Sequence, residues 1–306
     1  MNILITGITG FVGQNLARYL SDIDILGISR EAKGINISYP ELSLNIFNQQ
    51  KAFIHLAGKA HDLKKISNPQ EYYEANFELT KQLFNAFLNS DAKLFIFMST
   101  VKAAADDVVG VLTEETDPNP KTHYGIAKHQ AEQYILSKEL PLEKRVYILR
   151  PCMIHGPGNK GNLSLLYKLV SKNIPWPLGA FDNKRSFCSI DNLLFIIKEL
   201  IEREDIPSGI YNVSDDEPLS TNELINLIAG SINIKPRIIP VSKKLIFVLA
   251  RLGDILRLPL NTERLVKLTE NFVVSNTKIK TALQLEKLPI SSKVGLIKTI
   301  NSFKML

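Results

Sequence analysis

The chain begins MNILITGITGFVG (residues 1–13), in which a short apolar run leads directly into three glycines, Gly7, Gly10 and Gly13. Asn2 to Thr6 has the length and composition of a buried strand, and the residues after Gly10 have the spacing of a helix. The first glycine permits a tight turn, the second lets the backbone approach a diphosphate, and the third allows close helix-to-strand packing. The stretch therefore predicts a dinucleotide diphosphate at a helix N-terminus. The alternative is a strand–turn–helix without a ligand.

Apolar runs of strand length alternate with helical patterns through the first half of the chain. Strands are predicted at 2–6, 23–29, 52–57, 93–98 and 145–149, and helices at 72–88 and 123–137. This alternation predicts βαβ units and a doubly wound parallel sheet, an α/β Rossmann fold with ligands at the carboxyl ends of its strands.

After Pro151 the sequence becomes rich in glycine and proline, and helical patterns then dominate at 191–203, 220–232 and 242–256. We predict a smaller, mostly helical C-terminal substrate-binding part. The expected division is a dinucleotide-binding domain at 1–160 and about 186–214, and a substrate-binding region at about 161–185 and 215–306.

The composition is that of a protein with a sizeable core, with 306 residues of which 45% are hydrophobic and 22% charged. The sequence has no apolar run of spanning length and no signal peptide, and Cys152 and Cys188 form no disulfide framework, which predicts a reduced, cytoplasmic protein. The net charge of +6 is scattered, so no nucleic-acid partner is expected. The basic, amphipathic stretch 243–258 fits either a weak peripheral membrane contact or a core-facing helix.

The end of the second predicted strand reads GISRE (27–31) and bears on the choice of cofactor. An acidic residue there would bind the adenosine ribose and favour NAD. Ser29 and Arg30 stand in its place, and a guanidinium beside a hydroxyl suits a 2′-phosphate, so NADP(H) is favoured. The alternative makes Arg30 a surface residue and Glu31 the ribose ligand, so NAD stays possible.

A tyrosine and a lysine lie four residues apart in HYGIAKHQAEQYI (123–135). On a helix Lys128 would stand beside Tyr124, and its ammonium, with an oxidised nicotinamide, would favour the phenolate. Thr100 follows a predicted strand and could bind the same substrate oxygen as Tyr124, with Ser99 as the neighbouring alternative. The other interpretation of Tyr124 and Lys128 is an ordinary helix that carries both residues.

Several motifs occur in a familiar order: TGITGFVG (6–13), HLAG (55–58), Asn76, MST (98–100), Tyr124-x-x-x-Lys128 and LRPCMIHGPG (149–158). Their combination resembles the extended short-chain dehydrogenase/reductases, also called the NAD-dependent epimerase/dehydratase family, over roughly residues 1–195. The resemblance implies a Rossmann domain, a nucleotide-sugar substrate and a catalytic Ser/Thr–Tyr–Lys set, here Thr100, Tyr124 and Lys128.

The resemblance also implies binding residues. The cofactor contacts would be Gly7, Thr9, Gly10, Phe11, Val12, Gly13, Ser29, Arg30, Leu56, Ala57, Gly58, Asn76, Ser99, Tyr124, Lys128 and Pro151. The substrate contacts would be Thr100, Val101, Lys102, Asn162 and Arg185, with Arg251 or Arg264 as a second phosphate-binding arginine. The histidines lack metal-ligand spacing, so no metal is expected. A homodimer through the Tyr–Lys helix and the helix before it would draw on Tyr72, Phe77, Phe84 and Phe87, and the alternative is that these residues form a core face.

The two residues directly after Thr100 narrow the reaction. Dehydratases of the family carry Asp-Glu where this chain has Val101 and Lys102, which disfavours dehydration. STVKA (99–103), KGNLSLLYKLV (160–170) and NKRSFCSIDNL (183–193) resemble a bacterial subgroup that acts on UDP-N-acetylhexosamines or their 4-keto-6-deoxy derivatives in surface-polysaccharide synthesis. The leading expectation is NADP(H)-dependent reduction of a UDP-4-keto-6-deoxy-N-acetylhexosamine. The alternatives are a UDP-hexose or UDP-N-acetylhexosamine 4-epimerase with tightly bound NAD and, in a different class, a non-catalytic dinucleotide sensor.

Overall fold

The computed structural model of the chain describes residues 2–30, 36–39, 44–60, 68–159, 161–256 and 261–305. Its strands are β1 (Asn2–Thr6), β2 (Asp24–Ser29), β3 (Ile37–Ser38), β4 (Ala52–His55), β5 (Leu94–Met98), β6 (Val111–Leu112), β7 (Arg145–Pro151), β8 (Met153–His155), β9 (Phe187–Ser189), β10 (Gly209–Val213) and β11 (Val273–Val274).

The helices are α1 (Phe11–Tyr19), α2 (Leu44–Asn48), α3 (Gln70–Tyr73), α4 (Leu79–Leu88), α5 (His123–Leu136), α6 (Asn162–Ser171), α7 (Ile190–Glu202), α8 (Thr221–Ser231), α9 (Lys243–Leu256), α10 (Thr262–Thr269), α11 (Thr277–Leu283) and α12 (Ser292–Ser302). A π-helical turn, Glu74–Glu78, joins α3 to α4, and short 3₁₀ turns occupy Val101–Ala103 and Phe303–Met305.

Seven parallel strands form the main sheet in the order β3-β2-β1-β4-β5-β7-β10. The chain therefore winds outward from β1 to one edge, returns to β4 and winds outward to the other edge. This order confirms the predicted doubly wound Rossmann fold and leaves a crevice at the carboxyl ends of β1 and β4, where ligands bind in such sheets. Thr6 and His55 are paired in register at that point.

The boundaries of several strands and helices differ from the predicted ones by a few residues. The predicted strand 52–57 ends at His55, so Leu56 and Ala57 belong to the following loop. β7 runs on to Pro151, and the helix predicted at 72–88 begins at Gln70. The strands of two or three residues were not predicted, because so short a segment carries no periodicity.

Apolar side chains fill both faces of the sheet. One cluster includes Ile3, Ile5 and the buried face of α7, and the other includes Phe53, Phe87 and Phe95. Phe84 and Phe87 are only 1% and 0% exposed, so they belong to the core and do not supply the dimer surface that the sequence suggested for them. Cys152 and Cys188 are buried and free.

A separate cluster lies in the C-terminal half, where buried side chains of α6, α8, α9, α10 and α12 pack together. By contrast, Ile279 and Leu283 of α11 pack against the sheet. The predicted division into two domains stays a prediction. In the part of the chain that the structure describes, no helix is both long and apolar enough to cross a membrane.

Candidate active site

The loop between β1 and α1 is built so that only glycine fits at two of its positions. Gly7 has a φ of +70°, and a Cβ there would lie 2.7 Å from the Ala57 amide nitrogen. A Cβ at Gly13 would lie 2.4 Å from the Gly7 carbonyl oxygen. Gly10 precedes α1 and has no side chain to cap it, and the first turn of the helix contains no acidic residue. These features fit a dinucleotide diphosphate, which Gly7, Gly10 and the start of α1 would hold.

A buried chain of hydrogen bonds ties the two strands of the crevice to the next helix. The Thr6 hydroxyl and His55 Nδ1 are 2.6 Å apart, and His55 Nε2 is 2.9 Å from the Thr80 hydroxyl. Burial, and then the nearby charge of Lys128, hold the pKa of His55 well below its usual value. A neutral ring that donates on one side and accepts on the other suits its two hydroxyl partners. His55 therefore connects β1 to α4 and stabilises the strand ends that form the crevice.

Asn76 lies in the π-helical turn and holds the loop that follows β4. Its Oδ1 accepts from the Lys59 amide at 3.0 Å, and its Nδ2 donates to the Lys59 carbonyl at 3.1 Å. A Cβ at Gly58 would lie 2.6 Å from Asn76 Oδ1 and 3.1 Å from Lys128 Nζ. Leu56, Ala57 and Gly58 are thus fixed beside the glycine loop and the lysine. Both amide atoms of Asn76 already pair with the backbone of Lys59. Contact between Asn76 and a cofactor stays a prediction.

Ser29 and Arg30 stand where β2 ends, next to the glycine loop, since the Gly7 amide donates to the Ile28 carbonyl at 3.1 Å. Ser29 is buried and the Arg30 side chain is exposed. Burial raises the pKa of Tyr39, and a hydrogen bond with Thr6 and the charge of Arg30 oppose that shift. Arg30 therefore lies near this edge of the crevice. Glu31, the alternative ribose ligand, lies outside the described residues.

Tyr124 stands in the first turn of α5, where the Thr122 hydroxyl accepts from the Gly125 amide. A Cβ at Gly125 would lie 2.4 Å from the Lys102 carbonyl oxygen, so glycine lets the helix sit directly against the segment after Thr100. The Thr100 hydroxyl accepts from the Lys102 amide at 3.2 Å and is hydrogen-bonded to Tyr124. This contact favours Thr100 over Ser99 as the hydroxyl partner of Tyr124, because the Ser99 hydroxyl donates to Glu132 instead.

Burial is the largest influence on the pKa values of the predicted catalytic pair, Tyr124 and Lys128. It raises the pKa of Tyr124 to about 12, and the hydrogen bond from Thr100 only partly offsets the shift. From the sequence we expected the opposite direction, because Lys128 and an oxidised nicotinamide would favour the phenolate. In the protein alone the phenol keeps its proton and is poised to donate it.

Lys128 is 3% exposed, and its Nζ donates to the Met98 carbonyl at 2.8 Å and lies 4.5 Å from the Phe97 ring. Burial lowers its pKa to about 7, although the charge of Glu132 opposes the shift. The amino group of Lys128 therefore lies between the last residue of β5 and the loop that contains Gly58. Lys128 is on the same helix as Tyr124, one turn further along.

A buried ion pair that sequence reasoning missed lies one turn beyond Lys128. Glu132 and Arg150 are each 1% exposed, and Arg150 Nε and Nη2 donate to the two Glu132 oxygens at 2.9 and 2.5 Å. The Ser99 hydroxyl also donates to Glu132. Burial raises the pKa of Glu132, but these bonds outweigh burial and the net shift is downward. The signal in the sequence was the helical spacing of 124, 128 and 132, combined with an arginine just before Pro151.

Breaking that pair by Glu132→Gln is expected to lower the free energy of unfolding by about 3–5 kcal/mol, because Arg150 stays charged and buried. Urea unfolding of the variant measures the loss. Glu263→Gln is the matched control, since Glu263 pairs with Lys267 on the exposed side of α10 and such pairs contribute under about 1 kcal/mol. Equal losses in the two variants would contradict the role given to the pair.

The predicted substrate residues extend from Thr100 toward the C-terminal half. Lys102 Nζ donates to the Asp106 carbonyl at 2.8 Å and lies 4.6 Å from the Phe272 ring. Burial lowers the pKa of Lys102, Asp106 and Glu270 oppose the shift, and Arg185 adds to it. Two cations, Lys102 and Arg185, thus share one region with Glu270. Val101 is buried beneath it in the 3₁₀ turn.

Arg185 is held by the end of α10. Its Nη1 donates to the Lys267 carbonyl at 2.7 Å, and its Nη2 donates to Glu270 at 3.3 Å. Asn162 is the exposed first residue of α6. Arg251 and Arg264 are exposed on α9 and α10. The structure thus brings the predicted cofactor and catalytic residues to the edge of the sheet formed by the carboxyl ends of its strands, and it places Arg185 on the side of the C-terminal helices.

The fold and the contact between Thr100 and Tyr124 define an enzyme of the short-chain dehydrogenase/reductase class. The sequence matches the model of the NAD dependent epimerase/dehydratase family over residues 3–214, and the chain belongs to that family. It is similar to a UDP-glucose 4-epimerase of Vibrio cholerae, 33% identical over 247 residues, covering 74% of this chain and 75% of the relative.

Two further comparisons agree with this membership. The chain is 28% identical, over 76% of its length and 73% of the relative's, to an N-acetyl-alpha-D-glucosaminyl-diphospho-ditrans,octacis-undecaprenol 4-epimerase of Escherichia coli O157:H7. A UDP-glucuronic acid 4-epimerase from Bacillus cereus, solved in complex with NAD, superposes with a TM-score of 0.76 at 19% identity, covering 100% of this chain and 99% of that one. The second similarity bears on the fold alone.

Proposed function

We propose that the chain reduces a UDP-4-keto-6-deoxy-N-acetylhexosamine with NADP(H), as a step in the synthesis of a surface-polysaccharide precursor. The observations that carry the proposal are the pairing of a protonated, buried Tyr124 with Thr100, and the presence of Ser29 and Arg30 at the carboxyl end of β2. When bound, the reduced nicotinamide supplies the hydride. The residues of the chain position the sugar and supply the proton.

Tyr124 is the proposed proton donor. The Thr100 hydroxyl accepts from the Lys102 amide, which leaves its own proton to donate to an oxygen beside Tyr124. A 4-keto oxygen between these two hydroxyls would receive hydrogen bonds from both, and Tyr124 would give up its proton as the carbonyl becomes an alcohol. Lys128, four residues along α5, then stabilises the phenolate that remains.

The nucleotide end of the substrate is proposed to lie against Arg185 and Asn162. A guanidinium suits a diphosphate through charge-assisted hydrogen bonds. Between the two candidates for a second arginine, we favour Arg264, because it lies on the helix whose Lys267 carbonyl accepts from Arg185. Lys102 lies between this region and Thr100 and would face the sugar. Residues 161–185 and 215–306 would then form the substrate-binding region.

A 4-epimerase that retains NAD is the second candidate, favoured by the similarity to two proteins named as 4-epimerases. Both reactions use the same Tyr124, Thr100 and Lys128, so they differ in how firmly the dinucleotide is held. Denaturing the purified protein and identifying any released dinucleotide separates them. Released NAD in stoichiometric amount would exclude the reductase. An empty site with micromolar affinity for NADPH and turnover of a 4-keto sugar would exclude both the epimerase and a non-catalytic sensor.

Arg30→Ala tests the cofactor preference. An exposed guanidinium beside Ser29 would contribute a charge-assisted contact to a 2′-phosphate, so we expect the dissociation constant for NADPH to rise at least about tenfold. The constant for NADH should change by less than about threefold. Fluorescence titration with both nucleotides measures the two values, and Arg18→Ala, an exposed arginine on α1, is the control. Parallel weakening of both nucleotides would contradict a role in 2′-phosphate recognition.

A further inference from the structure

The helix α9 carries exposed apolar side chains on one side, although its opposite side already packs into the protein. Ile246, Ala250 and Gly253 are buried and face the C-terminal cluster. Six exposed aliphatic side chains form what we name the α9 face, and each of them is between 44% and 77% exposed: Leu245, Val248, Leu249, Leu252, Ile255 and Leu256. Phe247, which is 42% exposed, lies outside this face, and its ring contacts that of Phe181. At about 3.6 residues per turn these positions form one continuous strip along the helix.

Basic side chains border this strip. Lys244 and Arg251 are exposed and, being seven residues apart, lie on the same edge of the α9 face. The neighbouring helix α10 adds exposed Val266 and Leu268, at 46% and 40%, while its Lys267 is paired with Glu263. The side chains of the two helices pack together in the C-terminal cluster, and Asp254 accepts from the Thr262 amide at 3.1 Å. The apolar strip and its basic border are therefore held as one rigid surface.

We propose that the α9 face binds the surface of an anionic phospholipid bilayer. An apolar strip bordered by lysine and arginine is the pattern of helices that lie in the membrane interface, with the apolar side chains among the acyl chains and the cations among anionic head groups. The helix has 14 residues, too few to span a bilayer, so it lies along the surface. This proposal does not rest on the proposed function.

Charge decides between a bilayer and a second copy of the chain as the partner. In an antiparallel two-fold dimer through this face the same edge would meet itself, which brings Lys244 and Arg251 of one copy toward those of the other. The α9 face has one acidic neighbour on its helix, Asp254, and both Asp254 oxygens are engaged by Thr262. An anionic bilayer supplies the missing counter-charge along the whole strip.

The helix α10 connects the α9 face to the candidate substrate site. The Lys267 carbonyl, in the last turn of α10, accepts from Arg185, and Glu270 just beyond the helix pairs with the same guanidinium. The proposed diphosphate position is therefore connected through α10 to the surface that meets the bilayer.

Co-sedimentation of the whole protein with vesicles tests the proposal. We expect binding to vesicles of mixed phosphatidylcholine and phosphatidylglycerol, and little to phosphatidylcholine alone. Leu252→Ser with Ile255→Ser should weaken binding at least about tenfold, since two exposed apolar side chains lose their burial. Lys244→Gln with Arg251→Gln should weaken it about 30-fold.

Matched controls lie elsewhere on the surface. Val109→Ser with Leu142→Ser changes two side chains that are each 104% exposed, and Lys51→Gln with Lys93→Gln removes two exposed charges next to the amino ends of β4 and β5. Neither pair should alter vesicle binding by more than about twofold. Unfolding midpoints of all variants check that they are folded.

Three results would overturn the proposal. The first is no binding to the anionic vesicles at low salt. The second is binding that depends on Lys244 and Arg251 but not on Leu252 and Ile255, which would be general attraction of a basic protein. The third is a concentration-dependent dimer, measured by light scattering, that Leu252→Ser with Ile255→Ser dissociates, since the α9 face would then bind a second copy.

Discussion

Replacing Tyr124 by phenylalanine is expected to reduce turnover about a thousandfold, because the substitution removes the proposed proton donor. The phenol is buried, hydrogen-bonded to Thr100, and protonated with a pKa of about 12. Phenylalanine fills the same space, so the affinity for the dinucleotide and the unfolding midpoint should stay close to those of the original protein. Steady-state kinetics with a 4-keto nucleotide sugar, together with a cofactor titration, measure both quantities.

Tyr134→Phe is the matched control for this experiment. Tyr134 lies on the same helix and also loses one hydrogen bond, since its hydroxyl donates to Asn85 at 2.6 Å. Its ring lies beside Phe77 and away from Thr100. We expect turnover within about threefold of the original value. A fully active Tyr124→Phe would remove the proposed mechanism, whatever the cofactor.

Replacing Lys128 by methionine is expected to reduce turnover at least about a hundredfold while making the protein more stable at neutral and acidic pH. Lys128 is buried, and its pKa falls from 10.5 to about 7. At about 1.4 kcal/mol for each pH unit, burying the ammonium costs roughly 5 kcal/mol. Methionine has a similar volume and no charge, and its own cost is the unpaired Met98 carbonyl, about 1–3 kcal/mol.

The sign of the pH dependence follows from the lowered pKa. Between about pH 7 and 10.5 the unfolded chain holds a proton on Lys128 that the folded protein has lost. This group therefore makes the original protein more stable as the pH rises through that window, and Lys128→Met removes the effect. The stability advantage of the variant should be largest below pH 7 and should shrink toward pH 10.

Urea unfolding at several pH values, for the original protein and the variant, measures this difference. Lys138→Met, an exposed lysine just beyond α5, is the control and should change neither turnover nor the pH profile. A constant difference between the two proteins across the pH range would show that Lys128 keeps an ordinary pKa. Retained turnover would show that its ammonium is dispensable for Tyr124.

The parts of the molecule that the sequence predicted are those whose signal is local. The glycine loop, the long strands and the spacing of Tyr124 and Lys128 each depend on residues within one turn or one strand. A general rule for parallel sheets predicted that the glycine loop and the Tyr124–Lys128 pair lie together at the carboxyl ends of the strands. The choice of Thr100 over Ser99 needed the structure, because adjacent residues leave a strand in opposite directions.

Other features depend on contacts between distant segments and were missed for that reason. Glu132 meets Arg150 only after α5 packs against β7, and neither residue alone differs from a surface charge. The helices α2, α6, α10, α11 and α12 and the strand β10 were not predicted. The π-helical turn around Asn76 carries no pattern that separates it from an α-helix. The raised pKa of Tyr124 results from burial of its side chain, and burial at a single position could not be predicted from the sequence.

The order of the strands has a consequence for how this enzyme can change during evolution. Arg30 follows β2 and Thr100 follows β5, and β1 and β4 lie between those strands. Three strand spacings separate the two positions by about 14 Å, more than the roughly 8 Å over which salt screens exposed charges in cells. Under the proposed roles of Arg30 and Tyr124, a substitution at Arg30 would alter which dinucleotide is accepted while Tyr124 keeps its proton affinity. Cofactor preference and proton chemistry would then be inherited, lost or engineered independently of each other.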